Sequence, residues 1–309
     1  MVQNLEAARE VAALLSERAQ RGSVPLRAGF IESASPSEIP PLAGLMRGGR
    51  GGEVKVKVLL SILWTATAAP YSVRRGARVW ATLIGLPDPE GKGAARVNDA
   101  LRTLAKEGYL RSNRQSGKTA GLTLMSELKT GAEYTHPGEA WAAVKGADPK
   151  VRRRTQRYVS LPVSLWTSGW VATLSGPGLA MLLILLSSAR GRTPEDLWFT
   201  PQVASDRYAL SETTRARGIE ELQRYGLVSV TKAPVMRDQI SPRRFRNTYT
   251  LHTEKFIEHP ESALEEASSG IVVRMTSKEI DRLLRDLNAK QSAATAVANT
   301  GAGTEPVTE

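Results

Sequence analysis

The stretch "ALRTLAKEGYLR" (Ala100–Arg111) has a counterpart in "GIEELQRYGLVS" (Gly218–Ser229), 118 residues further along. Both carry apolar residues at helical spacing: Leu101 and Leu104 in the first, Ile219 and Leu222 in the second. Both reach a glycine just past the last helical turn, Gly108 and Gly226, where a left-handed cap closes a helix. Both then pass into strand-like sequence.

Working outward, the flanks also match. Before the first copy, "VKVLLSILWTATAA" (Val56–Ala69) and "SVRRGARVWATLIGL" (Ser72–Leu86) predict two helices. The third helix comes from "GKGAARVNDALRTLAKEGYL", with Val97, Ala100, Leu101 and Leu104 on one face. "YLRSNRQSGKTAGLTLMS" then predicts strand, basic turn, strand. In the second copy, "GPGLAMLLILLSSAR", "TPQVASDRYAL" and "SETTRARGIEELQRYGL" supply three helices, the last with Ser211 as N-cap. "VSVTKAPVMRDQISPRRFRNTYTL" adds strand, long basic turn, strand. The fold class expected is mainly α with small β-hairpins, an α+β chain in which one plan is used twice.

This order resembles a winged helix-turn-helix, and "ALRTLAKEGYLR" and "GIEELQRYGLVS" resemble the end of a recognition helix entering the wing in bacterial DNA-binding proteins. Two such units in one basic chain are similar to the architecture of plasmid replication initiators and of regulators carried by actinobacterial plasmids and phages. The resemblance implies a double-stranded DNA-binding protein, a transcriptional regulator first and a replication initiator as the alternative. A winged-helix scaffold for protein partners is a further reading.

Around the two blocks, residues 1–52 read as an amphipathic helix (Leu5, Ala8, Ala12, Leu15) and a flexible Gly/Pro/Ser-rich linker ending in "RGGRGGE". The first block spans 53–128, a basic connector 129–157, and the second block 158–255. A C-terminal helical segment covers 256–292. Its "TSKE" (Thr276, Glu279) is a capping-box pattern. Its Ile280, Leu283, Leu284 and Leu287 form one apolar stripe, so that 275–290 offers a homodimer contact. Residues 293–309 have little to bury and read as disordered.

Net charge is +11, with 30 Arg against 12 Lys. By segment it is +1 over 1–52, +6 over 53–128, +4 over 129–157, +4 over 158–255 and −4 over 256–309. The positive charge thus sits in the middle of the chain, as expected of a polyanion binder. There is no cysteine, which excludes disulfides and thiolate metal sites. The first residues lack the apolar core of a signal peptide, and the longest apolar run, Leu179–Leu186, is too short for a membrane span. A cytoplasmic location is expected.

Enzymatic signatures are weak. Gly117-Lys118-Thr119 matches the end of a phosphate loop, but the pattern requires glycine at position 112, which is Ser112. "GLPDPEGKG" from Gly85 has the wrong spacing and reads as a turn between helices. His136, His252 and His259 form no metal-ligand pattern, and no Gly-x-Ser-x-Gly elbow occurs. No cofactor, nucleotide or metal is expected.

The candidate DNA contacts are of two kinds. Asn98, Asp99 and Arg102 lie on the outward face of the first block's third helix, with Lys92 and Arg96 near its start. Thr213, Thr214 and Arg217 do so in the second, with Arg215 nearer the inside. Asn reads adenine and Arg reads guanine by paired hydrogen bonds, whereas Asp99 suits a base amine or a salt bridge. Backbone contacts are expected from Arg111, Arg114 and Lys118, which sit together without an acid. They are also expected from Arg152, Arg153 and Arg154, and from Lys232, Arg237, Arg243, Arg244 and Arg246, with only Asp238 nearby. Trp64, Trp80, Trp166, Trp170 and Trp198 fall in apolar segments and are expected in the core, which argues against single-strand stacking.

Overall fold

A computed structural model describes residues 2–33, 35–47, 51–113, 121–143, 146, 157–189, 194–235 and 244–269. The chain is an α+β structure, chiefly helical, with small antiparallel sheets. Residues 1–266 form one unit; of the second, 267–309, only the first three residues are described.

Helix α1 (Val2–Ala19) turns Ala8, Ala12 and Leu15 inward, as their spacing predicts. The segment read as a linker is structured. Strand β1 (Ser23–Arg27), α2 (Ala28–Ile31) and α3 (Pro41–Met46) bury Val24, Leu26, Phe30, Ile31, Leu42 and Leu45. The short spacing between its prolines and glycines leaves no visible period, and the partner that orders β1 lies far away in sequence.

The first block follows. α4 (Gly51–Thr65) begins earlier than its apolar run suggests and is buried on nearly every side. Ser72–Val73, expected to open a helix, is instead strand β2, and helix α5 covers only Ala77–Leu83. Helix α6 (Lys92–Lys106) comes next, then β3 (Leu110–Asn113) and β4 (Gly121–Leu124). The sheet order is β2-β4-β3, all antiparallel. The connector's first half folds back on this block. Met125 bridges Glu133, buried Tyr134 packs edge-on against Tyr71 with ring centres 4.8 Å apart, and α7 covers Pro137–Ala143.

β5 (Tyr158–Pro162) pairs antiparallel with β1, placing buried Leu26 opposite Val159 and Val24 opposite Leu161. Two short helices, α8 (Ser164–Thr167) and α9 (Trp170–Thr173), lead to α10 (Gly176–Ala189), the most apolar helix. Then come α11 (Pro201–Tyr208), α12 (Glu212–Arg224), β6 (Val228–Val235) and β7 (Arg244–Leu251). A bridge between Leu197 and Tyr249 stands where β2 stands in the first block. A 3-10 turn (Thr253–Ile257) and α13 (Pro260–Ser269) follow.

The repeat extends to individual hydrogen bonds. Gly108 (φ +83°) and Gly226 (φ +65°) are both left-handed. Tyr109 N–H donates to the Leu104 carbonyl, and Leu227 N–H to the Leu222 carbonyl, each at 2.9 Å. The strand-and-helix lead-in is repeated too, since β1 and β5 precede the three helices of the two blocks and pair with each other.

One buried apolar cluster runs through both blocks. At the seam, α10 receives a carboxylate from each side. Glu53 of α4 accepts from the Gly176 N–H (3.1 Å) and Glu221 of α12 from the Ser175 N–H (2.9 Å), where the helix dipole favours negative charge. Lys57 is 2% exposed, bonded to Glu53 (2.8 Å) and the Ala172 carbonyl (3.2 Å). Burial pulls its pKa down, and Glu53 opposes that shift.

Candidate nucleic-acid interface

α6 is started by Asp88, whose carboxylate accepts from the Gly91 N–H (3.1 Å) and Lys92 N–H (2.7 Å). The first turn lies so close to this loop that a Cβ on Gly93 would stand 2.7 Å from the Asp88 carbonyl oxygen. Val97, Ala100 and Leu104 face inward. Lys92, Arg96, Asn98 and Arg102 are all exposed, as their positions predict, and Lys106 extends the face. Asp99 is the acid among them, and it pairs with Arg102 on the open surface. Such an exposed pair contributes on the order of 0.5 kcal/mol, so a phosphate or base edge can displace it. Lys92, Arg96 and Lys106 form no ion pair among the described residues.

α12 is capped by Ser211, whose hydroxyl accepts from the Thr214 N–H (3.2 Å). Thr213 and Arg217 are exposed. Thr214 is half-buried and its hydroxyl is engaged with Ser211 (2.8 Å), so it is less free than the sequence suggested. Arg215 is half-buried, with its Nε enclosed, consistent with its inward placement. The helix carries three arginines and three glutamates, whereas α6 carries four basic residues and one acid. The start of α12 also borders an open cleft of about 890 Å³ shared with Glu38, Glu53, Asp206 and Arg47. Of the two helices, α6 is therefore the more basic.

The hairpins carry basic residues as well. In the first, Arg111 meets Glu133 at 3.3 Å, which corrects the expectation that no acid lies near it. Arg114 and Lys118 lie outside the described residues, as do Ser116 and Gly117. The described strand beyond them, β4, is antiparallel to β3, and no helix opens there. Arg152, Arg153 and Arg154 lie outside the described residues, as do Arg237, Asp238, Arg243 and the segment 275–290. In the second hairpin Lys232 is exposed, and the backbone of Arg244 opens β7 while its side chain lies outside the description. Arg246 lies over the ring of Trp198, 4.1 Å from its centre.

That contact corrects the placement of Trp198. Trp64, Trp80, Trp166 and Trp170 are buried, but Trp198 is 48% exposed. Leu197 and Tyr249 are paired, so neighbours alternate in direction: Phe199 turns in to stack on Tyr249 (5.3 Å) and Trp198 turns out. An apolar triplet does not show which of its members faces water.

The histidines have ordinary partners. His252 bonds Ser229 (2.7 Å) and Glu254 (3.1 Å), and His136 accepts from the Gly138 N–H (3.2 Å). Among the described residues no three His, Asp or Glu side chains gather as a metal site, and no helix is long and apolar enough to cross a membrane.

The site so defined is a pair of helix-and-hairpin units, of which the first has the more basic helix. Comparison of the chain with protein-family models, with curated proteins and with solved structures yields no match.

Proposed function

We propose that each block is a winged helix and that the chain binds double-stranded DNA as a transcriptional regulator. The observation that carries this reading is the basic outer face of α6: Lys92, Arg96, Asn98 and Arg102 stand exposed together on the third helix of the first block. The succession helix, strand, helix, helix, strand, strand with order β2-β4-β3 supports it, as does its recurrence in the second block. In this reading α6 enters a major groove from its N-terminal end, where Asn98 pairs with adenine and Arg102 leaves Asp99 for guanine. α12 offers Thr213 and Arg217 to a second groove segment. Lys232 and Arg246 hold phosphates and set register without reading sequence.

Initiation at a plasmid or phage origin is the second reading. It is favoured by the packed seam, because two helices held on one core suit sites repeated at a fixed interval.

The test is fluorescence anisotropy of labelled duplex over a salt series. Replacing Lys92 or Arg96 by Ala should weaken binding and flatten the dependence of log affinity on log salt by about 0.9 per lost phosphate contact. Unchanged affinity and slope in both variants would defeat the reading in favour of a protein-binding scaffold.

A further inference from the structure

β6 and β7 are each eight residues long, so the second hairpin reaches about 27 Å at ~3.4 Å per residue. Its register fixes which side chains share a face. One face carries the pairs Val228–Leu251, Val230–Tyr249, Lys232–Asn247 and Pro234–Phe245. The first two pairs pack on the core. The last two are exposed, with Phe245 at 55%. The hairpin thus overhangs the body, and the face that is core at its base becomes, further out, a basic step followed by an apolar one. On the opposite face Arg246 stacks on Trp198 and Thr231 bonds Thr248 (2.7 Å), which stiffens the ribbon where it leaves the body.

An exposed phenylalanine opposite an exposed proline has no partner in the described structure. Neither strand carries an acid, and Lys232 and Arg246 flank the pair, so its surroundings complement a polyanion. Apolar residues on basic strands or arms enter DNA by wedging between base pairs, unstacking one step and kinking the duplex. We propose that Phe245, backed by Pro234, is such a wedge, so that the protein bends the DNA it binds. This rests on the DNA-binding reading above. Lys232, on the wedge's own face, would hold the adjacent phosphate, while Arg246, stacked on Trp198 on the other face, would support the ribbon behind it.

The experiment uses the full chain and duplexes of about 30 base pairs selected by it from a random pool, with a donor and an acceptor dye at the ends. Wild-type protein should raise energy transfer at saturation, and a 2-aminopurine placed at the kinked step should brighten as it unstacks. Phe245→Ala should lose both signals while keeping affinity within about ten-fold. Phe245→Leu, still an apolar wedge, should retain them. Lys232→Ala should weaken binding yet leave the saturated bend unchanged. Phe245 is exposed, so unchanged far-UV circular dichroism is expected in both variants. A straight duplex with wild-type protein, or an equal bend with Phe245→Ala, would overturn the wedge while leaving DNA binding intact. A wild-type dimer made monomeric by Phe245→Ala, with the bend preserved, would overturn it in favour of self-association. Failure to retain any duplex would overturn the DNA reading and the wedge with it.

Discussion

Arg27 sends one arm to both carboxylate oxygens of Glu127 (2.9 Å each), a buried pair, and the other to the carbonyl of exposed Thr135 (2.8 Å). The pair ties β1 to the end of the first block's sheet. Burial pushes the Glu127 carboxyl above the ordinary carboxylate range, and Arg27 pulls against that. Arg27→Met removes the opposing pull. A carboxyl raised in the fold holds its proton more tightly there than in the unfolded chain. Its contribution is therefore full at low pH and is lost as pH rises through the folded value. Denaturant unfolding should find Arg27→Met weaker than wild type by about 3–5 kcal/mol near pH 8, with a smaller gap near pH 5. A gap independent of pH would contradict this placement of the charge. Neither Arg27 nor Glu127 stood out in the sequence, since a buried ion pair between residues 100 positions apart leaves no local mark. Trp198 was hidden differently: its type suggested core, and only the pairing of Leu197 with Tyr249 turns it outward.

At the scale of elements, the sequence was most legible where structure is local. α6, α10 and α12, the N-cap Ser211 and the closing glycines Gly108 and Gly226 follow from periodicity and cap chemistry, and the structure has them where expected. β2 was read as helix because Ser72–Val73 is too short to show a strand period and pairs only with distant β4. β1 was read as linker for the same reason, its partner β5 being more than 130 residues away. The join of α10 and α12 is tighter than any sequence pattern indicates. A Cβ at Gly218 would stand 2.4 Å from the Pro177 carbonyl oxygen and 2.5 Å from the Met181 side chain. Gly218→Ala must push the helices apart and should lower stability by about 1–3 kcal/mol in urea unfolding. Gly226→Ala meets only the Lys255 side chain, at an ordinary 3.8 Å, but keeps a positive φ, and should cost about 1–2 kcal/mol. Because only the first change displaces α12, Gly218→Ala alone should also reduce duplex affinity. Equal affinity in the two variants would separate α12 from the interface.

For the whole molecule, the two blocks divide the work unequally. The first block's third helix is the more basic of the two, while one apolar cluster and the Glu53–Lys57–Glu221 seam bind the blocks together. The count of basic residues does not show which of them are free, because exposure and acid pairing decide that. Cross-linking to a selected duplex carrying photoreactive thymine analogues, with the attached peptides located by mass spectrometry, bears most directly on the proposal that α6 meets DNA. The peptide containing Lys92 to Arg102 should dominate, with a second cross-link at Arg217 or in the hairpin around Lys232 and Arg246. Cross-links confined to other faces of the molecule, with α6 unmarked, would contradict the account.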